Sequence, residues 1–219
     1  MDFIKEHGYI PINPEDKFQF QCKMCGDCCR NVKDAIMLES LDLFRIAQHL
    51  GKETAEVSAM YADVGFLSWG FPILLLKTKA YMDVCVFLKS GKCSINSAKP
   101  RVCRTYPLGV GPVDNNQDFA YFIVSKKTHH FTGESHCVRN WFDENLNAED
   151  REFMKLDVRF ADEFGQAMKG IKEDDKLEKE IMSLILLYKY FMFDIAEPFM
   201  RQYTRNMAIL SNKLKKFGG

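Results

Sequence analysis

The spacing of apolar residues changes character along the chain, and each change predicts a different kind of structure. Up to about residue 35 the spacing is irregular, except that Phe18 to Gln21 alternates as a short strand would. The periodicity then predicts two helices. The first is capped by Ser40 and closed by Gly51, and the second starts at Thr54 and ends at Gly65.

Short apolar runs between turn residues follow from Phe66 to Val124, and they predict strands. The predicted strands are Phe71 to Leu76, Tyr81 to Leu88 and Phe119 to Val124. Turns are predicted at Ser90-Gly91-Lys92 and at Asp114-Asn115-Asn116. The segment from Lys99 to Pro107 is bracketed by prolines, which predicts a loop or a single helical turn.

After Cys137 the pattern becomes helical. Helices are predicted over residues 138–146, 148–170, 175–195 and 198–216, with residues 172–176 as a solvated connection. Together these patterns predict an α+β fold: a small, irregular, partly β cysteine-rich region (1–137) packed on a predominantly helical half (138–219). The first region is too irregular to close a core of its own, so the two could form one integrated domain.

Composition narrows the class of protein. Thirty basic and thirty acidic residues give a formal charge of zero, which is not the footprint of a nucleic-acid binder. No apolar run approaches the roughly 20 residues of a membrane span. The first eight residues do not resemble a signal peptide, and 219 residues with 47% apolar content can bury a core without disulfides. A reducing cytoplasm is therefore the expected location.

The cysteines carry the strongest chemical signal. Four of the eight fall within eight residues, and four follow downstream: Cys22, Cys25, Cys28, Cys29, Cys85, Cys93, Cys103 and Cys137. Four crowded thiolates repel one another unless a cation neutralises them. Gly26 allows the tight turn that such a cluster needs. These features predict metal binding, and eight thiols divide naturally into two four-thiolate sites.

Ligand type alone does not separate zinc from iron–sulfur. Three cysteines spaced as Cys-x2-Cys-x2-Cys are typical of four-iron clusters, whereas structural zinc sites usually pair two knuckles. The spacing favours a 4Fe-4S cluster, with zinc as the alternative. We expect Cys22, Cys25 and Cys28 to share one centre and the side chain of Cys29 to diverge towards another. For Cys137, which lies 34 positions beyond Cys103, the alternative is a buried thiol.

Basic residues surround the downstream cysteines. Seven lie between Lys77 and Arg104, opposed only by Asp83, and they suit an anionic cluster. Arg101 and Arg104 flank Cys103 and could instead hold a substrate carboxylate bidentately. Histidines have less weight: His136 could replace a thiolate, whereas the polar segment around His129-His130 predicts exposure rather than ligation.

Two blocks of sequence resemble the CxxCxxCC family of zinc- or iron-chelating proteins, also called YkgJ-like cysteine cluster proteins. The first block is Cys22-x-x-Cys25-x-x-Cys28-Cys29-Arg30 with the helix that ends at Gly51. The second holds Cys85, Gly91-Lys92-Cys93 and Lys99-Pro100-Arg101-Val102-Cys103-Arg104. The resemblance covers roughly residues 20–110.

The resemblance implies two kinds of function. Some relatives resemble flagellin lysine N-methylases, which implies an enzyme with a metal cluster near its active site, S-adenosylmethionine as a ligand, and a protein or amino-acid-type substrate. The alternative is a non-catalytic module, either a structural zinc protein or an electron carrier that docks a partner. The sequence shows no radical S-adenosylmethionine spacing, Rossmann glycine motif or P-loop, so any catalysis would depend on the cluster. Substrate, reaction and oligomeric state are left open.

Overall fold

The computed structural model describes residues 9–67, 70–112, 119–124, 128–168 and 175–217. Within them the chain forms seven α-helices and ten short strands. The helices are α1 Ser40–Leu50, α2 Thr54–Tyr61, α3 Arg101–Thr105, α4 Val138–Asn145, α5 Ala148–Met168, α6 Asp175–Ile185 and α7 Phe199–Leu214. The strands are β1 Tyr9–Ile12, β2 Lys17–Gln19, β3 Met37–Leu38, β4 Ala62–Phe66, β5 Pro72–Leu76, β6 Leu88–Lys89, β7 Lys92–Cys93, β8 Leu108–Pro112, β9 Phe119–Val124 and β10 Ser135–Cys137. Helices and small antiparallel sheets confirm the α+β class.

The described sheets are small and antiparallel. One has the order β1-β9-β8 and another β3-β5-β4, while β2 pairs with β10 and β6 with β7. Three of these pairings join distant parts of the chain: β1 to β9, β2 to β10, and β3 to β5. The cysteine motif follows β2 in the chain, so the β2–β10 pair places the motif next to the segment that precedes β10.

Three predicted elements differ from those observed. The second helix ends at Tyr61 rather than at Gly65, because residues 62–66 pair along their whole length with β5. Most of the predicted strand from Tyr81 to Leu88 is irregular: isolated bridges form at Val84 and Cys85, and only Leu88 belongs to a strand, β6. The last turns before residue 192 form a π-helix over Leu186–Phe191. The predicted turn at 114–116 and most of the connection at 172–176 lie outside the described residues.

The buried side chains join the cysteine-rich and helical parts. One apolar cluster contains Leu41 and Phe44 of α1 and Ile73 of β5 together with Phe153 of α5 and Tyr203 of α7. A second cluster packs α1, α2 and β5 against Cys85 and Phe87. Apolar burial is the main stabilising contribution to a fold. Here the buried clusters combine side chains from before and after residue 137. None of the helices in the described ranges combines the length and apolar composition of a membrane span.

Candidate metal centre

Backbone hydrogen bonds hold the Cys28-Cys29 end of the motif against the segment that carries Cys85. Residues Asp27–Cys29 form a single 3-10 turn, in which the Cys29 amide donates to the Gly26 carbonyl at 3.1 Å. The Cys85 amide donates to the Cys29 carbonyl at 2.8 Å. One carboxylate oxygen of Asp83 accepts from the amides of Val32 and Lys33, at 2.6 and 2.5 Å. Two segments more than fifty residues apart are thus fixed side by side.

A tight hairpin brings Cys93 to the same place. Strands β6 and β7 pair Leu88 with Cys93, and the predicted turn is present with Ser90 and Gly91 at its centre. Both turn residues have positive φ, 49° and 75°, as the two-residue hairpin turn that matches strand twist requires. Cys85 precedes this hairpin and Cys93 lies in its second strand, and both line the same cavity.

Helix α3 delivers Cys103 and is held at its N-terminus by α1. The Arg101 amide donates to a carboxylate oxygen of Asp42 at 2.8 Å, while the Arg101 guanidinium grips Glu39 through Nε and Nη2 at 2.7 and 2.6 Å. Glu39, rather than the predicted Ser40, is also the N-cap residue of α1, and Ser40 is the first residue of the helix. The segment from Lys99 to Pro107 is therefore the single helical turn that the prolines allowed, and its position is set by these two acidic residues.

Five thiols line one cavity of about 270 Å³, which we call the thiol cavity: Cys28, Cys29, Cys85, Cys93 and Cys103. Its opposite wall is apolar and includes Ile36, Leu108 and Phe122. The Sγ atoms of Cys28 and Cys29 lie 4.0 Å apart and both line this cavity, so the expected divergence of the two neighbouring side chains is not observed. Sulfur on one side and hydrocarbon on the other suit a soft metal centre. Cys28 is the exposed member of the five cysteines, and Cys85 is the buried one.

Three of these thiols, Cys28, Cys29 and Cys103, have raised pKa values, whereas the hydrogen bond with Cys29 lowers the pKa of Cys85. The pKa of Cys28 is raised by its hydrogen bond with Cys29, by burial and by the charge of Cys29. Burial, followed by the charges of Cys29 and Asp42, raises the pKa of Cys103. For Cys29 the bond with Cys28 lowers the pKa, but the bond with Cys85, burial and the neighbouring thiol charges outweigh it and raise the pKa to about 11. A bound cation would remove this repulsion, so the donor set fits a metal.

The first half of the motif lines a smaller neighbouring cavity of about 60 Å³, which we call the motif cavity. Cys22 and Cys25 line it together with Cys28, Cys29 and Cys93, which face both cavities. Cys22 is exposed, and its thiol lies 3.8 Å from the Met24 sulfur. The structure thus brings seven of the eight cysteines to two adjoining cavities.

Cys137 lies apart from this group. It ends β10, where it is opposite Lys17 of β2. Its thiol donates to the Pro14 carbonyl at 3.4 Å, and in the described part of the chain it lines neither of the two cavities. The structure thus gives the Cys137 thiol a backbone acceptor, whereas the other seven cysteines line the two cavities.

The arginines predicted to bind a carboxylate already have protein partners. Arg101 pairs with Glu39, and Arg104 donates to Asp150 through Nη1 and Nη2 at 3.0 and 2.7 Å. A ligand carboxylate would have to displace these buried or half-buried acids. Lys99 instead lines both cavities. Its positive charge partly opposes the effects that raise the pKa of Cys28. Lys92, another of the seven basic residues in this segment, also lines the motif cavity.

His129 and His130 lie beside the motif, although the sequence did not indicate them as ligands. His130 is only 4% exposed, and its Nε2 lies 3.1 Å from the Sγ of Cys25. The predicted exposure of His130 is therefore wrong, whereas His129 is half exposed. His136 could replace a thiolate by its position in the sequence, but its Nε2 instead lies 3.1 Å from the Phe20 carbonyl oxygen. No local pattern could have revealed His130, because the β2–β10 pairing brings residues 105 positions apart together.

Gly26 offers a direct test of this packing. A Cβ at Gly26 would lie 3.0 Å from both the Gly91 carbonyl oxygen and the Leu88 Cδ1 of the hairpin, whereas one at Gly51 would meet nothing within 4 Å. Both glycines have positive φ, 71° and 63°. We expect Gly26→Ala and Gly51→Ala to lose stability by about 1–2 kcal/mol through backbone strain. Only Gly26→Ala should also lose bound metal, because it separates the motif from the hairpin.

The measurements are thermal unfolding and metal content per chain for both variants. Full metal retention in Gly26→Ala, with the same stability loss as in Gly51→Ala, would contradict the role given to this contact.

Crowded thiols on a small α+β scaffold define a cysteine-cluster metal protein. A family model described as "Putative zinc- or iron-chelating domain", CxxCxxCC, matches residues 21–137. This match covers more than half of the chain, so the protein belongs to the CxxCxxCC family. The match continues past residue 110 to Cys137, further than the sequence blocks had indicated. No solved structure matches the chain.

Proposed function

We propose that the thiol cavity holds an iron–sulfur cluster of the four-iron type, with ligands drawn from its five cysteines. The observation that supports this most is the size of the cavity. A water molecule needs only about 10–15 Å³ of such space, and a four-coordinate zinc ion is enclosed by its own ligands. About 270 Å³ bordered by five sulfurs suits a larger inorganic group.

The surroundings support the same choice. Apolar side chains on the far wall would keep water from the cluster, and low solvent access is one means by which proteins set the potential of such clusters. Lys99 would offset part of the negative charge of the thiolate-bound cluster. A structural zinc site needs neither the free space nor the apolar wall.

Catalysis is a further step, and the family resemblance is its main support. Four residues of the apolar wall, Ala35, Val102, Gly109 and Phe122, also line an adjoining cavity of about 210 Å³ that contains Glu39 and Asp42. This space would admit a small ligand beside the cluster. Methyl transfer from S-adenosylmethionine stays a prediction. Arg101 lines this space, but it pairs with Glu39, and Arg104 pairs with Asp150, so the donor's carboxylate would have to displace one of these acids.

Anaerobic purification tests the cluster directly. We expect brown protein with broad visible absorption, and iron and acid-labile sulfide in equal amounts. Addition of dithionite should bleach the absorption and give an electron paramagnetic signal. Colourless protein with stoichiometric zinc and no sulfide would replace this proposal with that of a structural zinc protein.

A further inference from the structure

A second group of possible ligands includes Cys25 of the cysteine motif, and two of its members, Cys25 and His130, line the motif cavity. Cys25, Asp27, His129 and His130 place one ligand atom each within 4.8 Å of one another. The Sγ of Cys25 lies 3.1 Å from Nε2 of His130 and 3.9 Å from Nε2 of His129. That nitrogen of His129 is 3.0 Å from a carboxylate oxygen of Asp27.

We propose that these four residues form a mononuclear site for a divalent ion of the zinc type, distinct from the thiol cavity. Four ligands of sulfur, nitrogen and oxygen are a set that zinc accepts in tetrahedral geometry. Asp27 belongs to the 3-10 turn Asp27–Cys29, which Cys25 precedes by two residues. Both histidines belong to the turn Thr128–His130, far away in the sequence. This inference does not depend on an iron–sulfur cluster, because in the described residues none of the four lines the thiol cavity.

The orientation of His130 supports a built site. Its Nδ1 faces the Tyr106 hydroxyl at 2.9 Å, so its Nε2 is directed at Cys25. Outer partners of this kind fix the tautomer and ring orientation of metal-binding histidines. The rings of Phe20 and Tyr106 pack edge-on against the imidazole, and the His130 carbonyl accepts from the Gln21 amide at 3.1 Å. The histidine is therefore held in place before any ion binds.

The rest of the site is open to solution. The side chain of His129 is 50% exposed and that of Asp27 35% exposed, and Cys25 is exposed as well. Chelators reach an ion with such ligands. In the thiol cavity Cys28 is exposed too, but Cys85 is buried and the other three cysteines are partly buried. The ion at the mixed site should therefore exchange with solution, and a chelator should remove it while the cluster's iron stays bound.

Cobalt titration of the anaerobically purified, chelator-treated protein tests the proposal. Tetrahedral Co²⁺ with one thiolate and two imidazoles gives visible ligand-field bands and a sulfur charge-transfer band. We expect one Co²⁺ per chain, displaced by Zn²⁺. His130→Gln should weaken binding by more than about tenfold, since even outer partners change metal affinity by about 10–100-fold. Cys25→Ser should remove the charge-transfer band.

Two variants serve as matched controls. His136→Gln changes a histidine that faces a backbone carbonyl, and it should bind Co²⁺ as the unmodified chain does. Cys103→Ser changes the thiol cavity and should also retain the Co²⁺ site. Since buried His130 could be needed for folding, His129→Gln provides the same test at a half-exposed position.

Each outcome is decisive. Loss of Co²⁺ binding in the Cys25 and His129 variants supports the mixed site, even if the protein is colourless and the cluster proposal has failed. Unchanged binding in the Cys25, His129 and His130 variants, with loss in Cys103→Ser, would place the ion in the thiol cavity and overturn the inference. Absence of any Co²⁺ binding to the unmodified chain would overturn it as well.

Discussion

Replacing Cys103 by serine should abolish most of the iron binding, whereas replacing Cys137 by serine should leave iron binding unchanged. The thiol of Cys103 lines the thiol cavity, where burial raises its pKa and only a bound cation would favour its ionised form. Cys137 instead donates its thiol to the Pro14 carbonyl. Because metal binding energy is also folding energy, Cys103→Ser should lower the thermal midpoint too.

Iron, acid-labile sulfide and visible absorption per chain measure the difference between the two variants. Circular dichroism of both variants after metal removal provides the folding control, since a cysteine-to-serine change at either position alters one atom. Equal iron loss in the two variants would contradict the placement of the cluster. Full retention in Cys103→Ser would mean that the ligands come from the motif and Cys85 and Cys93 alone.

Local signals in the sequence predicted the parts that the chain builds locally. The left-handed Gly51 ends α1 as expected, and the Ser90-Gly91 hairpin turn forms where turn residues interrupt the apolar runs. The periodicity of the C-terminal half predicted four helices, and four are described there. Their starts fall within one residue of those expected, because helix caps and apolar faces are set by neighbouring residues.

Elements that depend on distant partners could not be predicted in this way. Residues 62–66 continue an apolar pattern after α2, yet pairing with β5 makes them a strand. Arg101 and Arg104 look like ligand-binding cations in the sequence, and only the packing of α1 and α5 against α3 reveals Glu39 and Asp150 as their partners. The placement of His130 beside Cys25 depends on a pairing across more than a hundred residues.

Removing the carboxylate of Asp150 should destabilise the fold by about 3–5 kcal/mol, as expected when one partner of a buried ion pair is deleted. Its side chain is only 1% exposed and accepts from Arg45 Nη1 at 2.5 Å and Arg104 Nη2 at 2.7 Å. Asp150 also caps the start of α5 by accepting from the Asn147 amide at 3.0 Å. In Asp150→Ala, the half-buried guanidinium of Arg104 would lose its charged partner, and α3 with Cys103 would lose its anchor to α5.

Glu149→Ala is the matched control, because Glu149 also pairs with Arg45 but is 38% exposed. We expect a change within about 1 kcal/mol for this variant, as for other exposed pairs. Urea unfolding of both variants, as purified, measures the difference. Similar losses in the two variants would show that Asp150 does not anchor α3.

The difference in unfolding free energy between Asp150→Ala and the unmodified chain should change with pH in a defined direction. Burial raises the pKa of Asp150, but the hydrogen bond from Arg104 and the charges of Arg104 and Arg45 outweigh it and hold the pKa below its usual 3.8. A carboxyl with a lowered pKa stabilises the fold above its ordinary pKa, and this contribution is lost as the pH falls through the lowered value. The gap between Asp150→Ala and the unmodified chain should therefore stay constant from pH 7 down to about pH 5 and narrow only below pH 4. A gap that instead widened as the pH fell from 7 to 5 would mean that the folded-state pKa of Asp150 is raised and that its carboxyl takes up a proton in that range.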